Sequence, residues 1–257
     1  MTELDGKNVP SIEVIRPDWL VPSNVQAFST TRMGGFSQGQ WGQLNLGDSC
    51  GDDPDHVRKN RDLLQSLLPS EPRWLRQVHG NRVLNWSKAD GDRPEADAIT
   101  SNQARQVCAI MTADCLPVLF CNRNGTEVAA SHAGWRGLAS GVLEATVSTL
   151  ACAPGELMAW LGPAIGPGVY EVGAEVYETF MTMDSDHAGS FKPSGDRWLA
   201  DLYNIARQVL ASAGVGRVSG GRYCTYSEPG RFFSYRRDGV TGRMASVIWL
   251  EKSGMVG

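Results

Sequence analysis

Between residues 74 and 161 the chain is written as short apolar runs punctuated by glycine, proline, asparagine and aspartate, and this spacing constrains the fold more than any other feature. The runs at 74–78, 82–86, 107–111, 117–121, 127–131 and 157–161 are too short for helices and rich in aliphatic and aromatic residues, so each reads as a strand. Asn122, Arg123, Asn124 and Gly125 supply a hairpin turn between the fourth and fifth of them. Helical signals lie around and within this block. Asp52, Asp53, Pro54 and Asp55 place carboxylates at the start of a helix running through Val57 and Leu63 to Leu68. Residues 138–150 read as a largely apolar helix. Leu199, Leu202, Tyr203, Ala206, Val209 and Leu210 share one face at helical spacing, and Gly214 stops that helix. Further strands are expected at 25–30, 222–226 and 245–250, with a tight turn over Met33, Gly34, Gly35, Phe36 and Ser37. The class expected is α+β, with mixed sheets covered by helices.

No linker, like-charge block or short-period repeat divides the 257 residues, so one domain over residues 1–257 is expected. A net charge of −4 argues against a nucleic-acid partner, which usually meets a clustered cationic face. Arg231, Arg236, Arg237 and Arg243 are a local exception, suited to a small anion or to surface ion pairing. Met1, Thr2, Glu3, Leu4 and Asp5 carry neither a basic segment nor an apolar run, so no membrane association is expected and the cytoplasm is the expected location. Six cysteines without a CxxC pair suit reduced thiols, most of them buried as small hydrophobes. His56 and His187 stand in polar, acidic surroundings, are expected at the surface and are given no role.

Three segments place a metal-capable side chain where an apolar run meets a glycine or polar turn. They are Gln77-Val78-His79-Gly80, Thr112-Ala113-Asp114-Cys115-Leu116-Pro117 and Ser131-His132-Ala133-Gly134-Trp135-Arg136-Gly137. Strand ends are rigid and the turns beyond them face clefts, so ligands placed there can converge without loop ordering. Two imidazoles and a thiolate, His79, Cys115 and His132, suit a zinc site with an open fourth position, and copper can use the same donors. Two other readings stay open on the residues alone. The histidines can be hydrogen-bonded core residues beside an inert thiol, or Cys115 can be a nucleophile with His132 as its base. Asp114, next to Cys115, is a candidate for proton transfer or for holding a backbone N–H. Both side chains reach one site only if the backbone turns there, and Pro117 makes such a break plausible.

At these residues the sequence resembles the YfiH family, also called laccase-domain or multicopper polyphenol oxidase-like proteins and described as purine nucleoside phosphorylases. Further matches are Ser29-Thr30-Thr31-Arg32-Met33-Gly34-Gly35, Leu44-Asn45-Leu46-Gly47, Gly51-Asp52-Asp53-Pro54, Gly162-Pro163-Ala164-Ile165-Gly166-Pro167, Tyr170-Glu171-Val172 and Ser234-Tyr235-Arg236-Arg237, so the resemblance spans Phe28 to Trp249. It implies a four-layer α/β/β/α sandwich and a zinc site of His79, Cys115 and His132. It also implies phosphorolysis of adenosine, inosine and methylthioadenosine, and deamination of adenosine, with copper-dependent phenol oxidation or amide hydrolysis of cell-wall precursors as alternatives. Gly168-Val169 departs from the pattern, since many relatives carry cysteine after the glycine-proline pair.

These activities ask for different chemistry. Deamination needs water activated for attack on C6 of adenine, with Asp114 the candidate for moving protons. Phosphorolysis needs phosphate held beneath the ribose C1′, a task that suits the planar fork of arginine. Arg32, Arg136 and Arg236 are the nominated arginines, and Asn45 and Gln77 the nominated polar contacts to sugar or base. The expected partners are therefore a small nucleoside and phosphate, bound by a monomer. With only four histidines, the chain is poorly equipped for a cluster of several coppers.

Overall fold

In a computed structural model, which describes residues 11–88 and 90–252, the chain forms three sheets and six helices. Met1 to Asp5, and with them the start of the expected 1–257 domain, lie outside the described residues. In chain order the elements are β1 (Val14–Ile15), β2 (Val25–Thr30), α1 (Pro54–Gln65), β3 (Val83–Asn85), β4 (Ala98–Ser101), β5 (Cys108–Thr112), β6 (Leu116–Asn122), β7 (Val128–Ala133), α2 (Trp135–Ala139) and α3 (Val142–Thr149). There follow β8 (Leu157–Leu161), β9 (Glu171–Val172), α4 (Ala174–Met183), β10 (Phe191–Ser194), β11 (Arg197–Ala200), α5 (Leu202–Ser212), β12 (Arg217–Gly220), α6 (Tyr235–Asp238) and β13 (Met244–Leu250).

A six-stranded sheet in the order β12-β8-β6-β7-β4-β3 is mixed: β12 runs parallel to β8 and β3 to β4, while the central pairs are antiparallel. A four-stranded antiparallel sheet has the order β1-β2-β13-β5, and a small antiparallel sheet the order β10-β11-β9. Period-two alternation decides how the layers stack. In β6, Leu116, Val118 and Phe120 join the core formed with Leu143 of α3, Phe180 of α4 and Ile205 of α5. Leu119 and Cys121 face the other way, against Ile110 of β5 and Ile248 of β13. In β13, Ala245, Val247 and Trp249 point outward onto Leu64 of α1 and onto Leu44 and Leu46. The result is helix, sheet, sheet, helix, the four-layer arrangement that the resemblance implies. Fully buried Phe120 illustrates what holds it together, since truncating such a side chain to alanine costs about 3–5 kcal/mol.

Local signals explain most boundaries. Asp53 caps α1 by accepting the Asp55 N–H, with Pro54 at the first helical position. Gly214, at φ +87°, ends the turn after α5. The expected helix at 138–150 is instead α2 and α3, divided at Gly141, whose φ of +82° no α-helix accommodates. The expected strand at 74–78 makes only isolated bridges, from Arg73 to Cys108 and Arg76 to Glu95. The Gln77 side-chain amide takes over the ladder's role, donating to the Met111 carbonyl and accepting the Met111 N–H. Residues 222–226 hold a single bridge, Cys224 to Ala164, because the Glu228 carboxylate captures the Cys224 N–H. His187 is buried against Phe180, with Nδ1 paired to Gln208, rather than at the surface. All six cysteines are free, but only Cys108 and Cys121 are fully buried. Among the described residues no helix is long and apolar enough to cross a membrane.

Candidate metal centre and its cleft

The central antiparallel strands bring the three metal-capable residues together. His132 lies in β7 and Cys115 immediately precedes β6, and the two strands pair with Leu116 opposite Ala133 and Pro117 opposite His132. His79 arrives on the loop before β3. The three candidate ligand atoms all lie within 4.8 Å of one another, with His79 Nε2 3.8 Å from Cys115 Sγ and the imidazole centroids 4.7 Å apart. Tetrahedral zinc would set a nitrogen–sulfur separation of about 3.5 Å, so the donors fit such an ion in number, type and spacing. Gly134 leaves room for this convergence, since a Cβ there would stand 2.7 Å from Cys115 Sγ.

Asp97 organises the group from beneath. It is fully buried at the start of β4 and accepts four N–H bonds: His79 N at 2.9 Å and His132 Nδ1 at 2.8 Å on one oxygen, Gly80 N at 2.8 Å and Val78 N at 3.2 Å on the other. Three consecutive amides around one carboxylate form an anion nest, which supports His79 in its left-handed backbone at φ +63°. The bond to Nδ1 fixes the His132 tautomer and leaves Nε2 for the site.

The electrostatics favour a thiolate. Burial alone would raise the Cys115 thiol, but His132 and then His79 outweigh it and bring its pKa down to about 6. Burial likewise opposes protonation of His132, yet Cys115 and Asp97 prevail and raise it to about 9. Asp97 lies below the usual carboxylate range: burial pushes it up, while the His132 hydrogen bond and the N–H groups of Gly80 and Val78 pull it down.

The group opens into a cleft of about 530 Å³. Arg136, Arg236 and Gln77 line it, as does Asp114. Among the described residues the Arg136 guanidinium forms no ion pair or hydrogen bond and lies over its neighbour Trp135, 4.4 Å from the ring centroid. Arg236 also has no carboxylate partner; it donates to the Glu171 carbonyl and lies over Tyr170 at 5.0 Å. At the far end Asp48 is neutralised by Arg93 at 2.6 Å and Arg61 at 3.2 Å. The Arg243 guanidinium likewise donates only to the carbonyls of Thr241 and Gly242, so among the described residues three cations line the cleft of an acidic chain without a carboxylate partner.

A family model described as multi-copper polyphenol oxidoreductase laccase matches residues 26–251. The chain belongs to this family. A Shigella flexneri member named purine nucleoside phosphorylase YfiH is 57% identical over 240 residues, covering 93% of this chain and 99% of the relative. A Haemophilus influenzae purine nucleoside phosphorylase is 48% identical, covering 93% and 100%. A solved structure of a Neisseria meningitidis protein superposes with a TM-score of 0.90 at 50% identity, covering 93% and 99%, and YlmD of Geobacillus stearothermophilus with 0.81 at 30%, covering 90% and 93%.

Within this laccase-type family frame, the residues nominated from sequence fall into two groups. His79, Cys115, His132, Asp114, Gln77, Arg136 and Arg236 all line the cleft. Arg32 and Asn45 do not. The Arg32 side chain donates to the carbonyls of Gly42 and Pro229 and packs over Phe233. Asn45 is fully buried, bonding Gly47, Asp52 and the Arg243 N–H. The arginine cluster also divides: Arg231 pairs with Glu13 and Glu228 and Arg237 with Asp238, while Arg236 and Arg243 line the cleft.

Asp114 supplies the backbone turn beside Cys115, at φ +97°. Its oxygens accept from the Thr225 hydroxyl at 2.6 Å and the Arg236 N–H at 2.7 Å, an arrangement that suits holding the turn better than shuttling protons. The turn expected beside Pro117 falls at Asp114, and Pro117 itself lies within β6, in the strand expected there. Sequence reasoning gave no role to Asp97 or Tyr170. The signal for Asp97 was one carboxylate opening an apolar run; Tyr170 stood in a quoted motif without a task.

Proposed function

We propose that this chain is a metal-dependent purine nucleoside phosphorylase, converting adenosine, inosine or methylthioadenosine and phosphate to the free base and the corresponding ribose 1-phosphate, with adenosine deamination as a second activity. The observation that carries the reading is the juxtaposition of a three-donor group with Arg136 and Arg236, neither held by a carboxylate, in the same cleft. The names of the Shigella and Haemophilus relatives point the same way.

His79, Cys115 and His132 would hold zinc, or copper in its place. A bound ion would supply Lewis acidity at its open coordination position. Arg136 and Arg236 hold phosphate so that one of its oxygens attacks C1′ as the bond from C1′ to the base nitrogen breaks. The nucleoside lies along the cleft past Gln77, whose amide is committed to Met111, so that residue acts by shaping the wall. We further propose that the enzyme works as a cytoplasmic monomer on small molecules, a setting that suits its six free thiols.

The family description leaves oxidation of phenols as the competing reading. A multicopper oxidase needs many imidazoles. Of the four histidines here, His187 is tied to Gln208, His56 lies by Asp52, and only His79 and His132 meet.

Incubating zinc-loaded protein with adenosine, with and without phosphate, separates the activities. Adenine and ribose 1-phosphate forming only with phosphate support phosphorolysis, and inosine supports deamination. Neither product appearing, while a phenol is oxidised by the copper-loaded protein, sinks the proposal.

A further inference from the structure

Tyr170 stands where β9 begins and lines the same cleft as the metal-capable group, Arg136 and Arg236. Its ring packs into the core beneath α4 and the residue is only 8% exposed, yet its side chain reaches the cleft wall. Among the described residues its hydroxyl has no hydrogen-bond partner, and the group is not sealed from solvent. A phenol nine-tenths buried, whose O–H is committed to no protein group and opens onto the cleft, is free to donate to a ligand there. The Arg236 guanidinium lies over the same ring, 5.0 Å from its centroid. Cys115, Asp114, Arg136 and Arg236 line the same cleft.

We infer that the Tyr170 hydroxyl is the third donor of an oxyanion subsite whose other two members are Arg136 and Arg236, and that inorganic phosphate is its ligand. The ingredients match a tetrahedral dianion: two guanidinium groups provide charge and paired N–H donors, and a phenol adds one donor from a fixed ring. Tyr170 differs from the arginines in rigidity. Packing holds its ring in place before the anion arrives, whereas Arg136 is tethered only by its own neighbour Trp135. The phenol therefore sets where the anion sits relative to Cys115, and the arginines set how tightly it is held. The identity of the anion rests on the phosphorolysis reading; the subsite itself does not.

The test is calorimetric titration of inorganic phosphate into zinc-loaded wild type, Tyr170→Phe and Arg236→Gln. Tyr170→Phe keeps the packed ring and removes only the donor, and an unchanged melting temperature verifies that. Wild type should bind, Tyr170→Phe should bind on the order of tenfold more weakly, and Arg236→Gln at least as weakly as that. Steady-state kinetics should show the Tyr170→Phe defect in the KM for phosphate, with the KM for nucleoside and the kcat at saturating phosphate within twofold of wild type. Phosphate affinity equal in wild type and Tyr170→Phe overturns the inference, as does a wild type that binds no phosphate. If phosphate binds as described but no nucleoside is cleaved, the phosphorolysis reading falls and the subsite stands.

Discussion

His132 and Asp97 form a buried ion pair, Nδ1 to Oδ1 at 2.8 Å, in which the carboxylate that orients the imidazole also holds the loop carrying His79. One group thus positions two of the three candidate ligands. Asp97→Asn keeps the shape but replaces one acceptor oxygen with a donor facing N–H groups. Zinc affinity, measured by competition with a chromogenic chelator, should fall by about 10- to 100-fold. The buried imidazolium left without its counter-charge should cost about 3 kcal/mol in denaturant unfolding. Affinity within twofold of wild type would remove Asp97 from the centre.

Removing the ion from the protein exposes the thiol's own titration. The Cys115 thiolate should appear at about pH 6 in the difference absorbance between metal-free wild type and Cys115→Ser, because its pKa is depressed relative to an ordinary thiol. His132→Ala removes the facing imidazolium, so the midpoint should move upward. Cys108, Cys121 and Cys152 are all pushed up by burial and stay protonated in this window. A midpoint in the ordinary thiol range in wild type would contradict stabilisation of the thiolate by His132 and His79.

Gly134→Ala probes the space behind the sulfur. The backbone there, at φ −68°, accepts alanine, so the fold should persist with a native circular dichroism spectrum. The new methyl would stand 2.7 Å from Cys115 Sγ and 3.4 Å from the His79 ring, so the thiol must move. Zinc binding should weaken on the order of tenfold. Unchanged binding would mean that the sulfur is free to sit elsewhere.

Arg32 supplies the control for an arginine outside the cleft. Arg32→Ala removes donors to the Gly42 and Pro229 carbonyls and a stacked contact on Phe233, so stability should drop by about 1–3 kcal/mol. Phosphate affinity by calorimetry should be unaltered. A selective loss of phosphate binding would return Arg32 to the site.

Much of this arrangement was legible from the chain. Turn chemistry located the 122–125 hairpin, and the junctions of apolar runs with glycine turns marked the three metal-capable residues, because both depend on local residue types. What stayed hidden was set by long-range geometry. Gln77 substitutes for a strand only because Met111 lies opposite, and Arg32 and Asn45 are drawn inward by carbonyls and amides from distant segments. Asp97 gave one carboxylate in an apolar run, and no spacing rule says that it will meet residues 78–80 and 132. The same blindness applies to Tyr170, whose unused hydroxyl becomes visible only when the cleft is assembled.

The carboxylate of Asp114 joins two parts of the chain that lie more than a hundred residues apart, since its oxygens take the Thr225 hydroxyl and the Arg236 amide. The bend that presents the sulfur and the helix that presents a cleft cation are therefore anchored to the same two atoms. Trimming the chain ahead of Thr225 would loosen the cysteine's presentation as well as delete an arginine, although all three candidate ligands lie before that point.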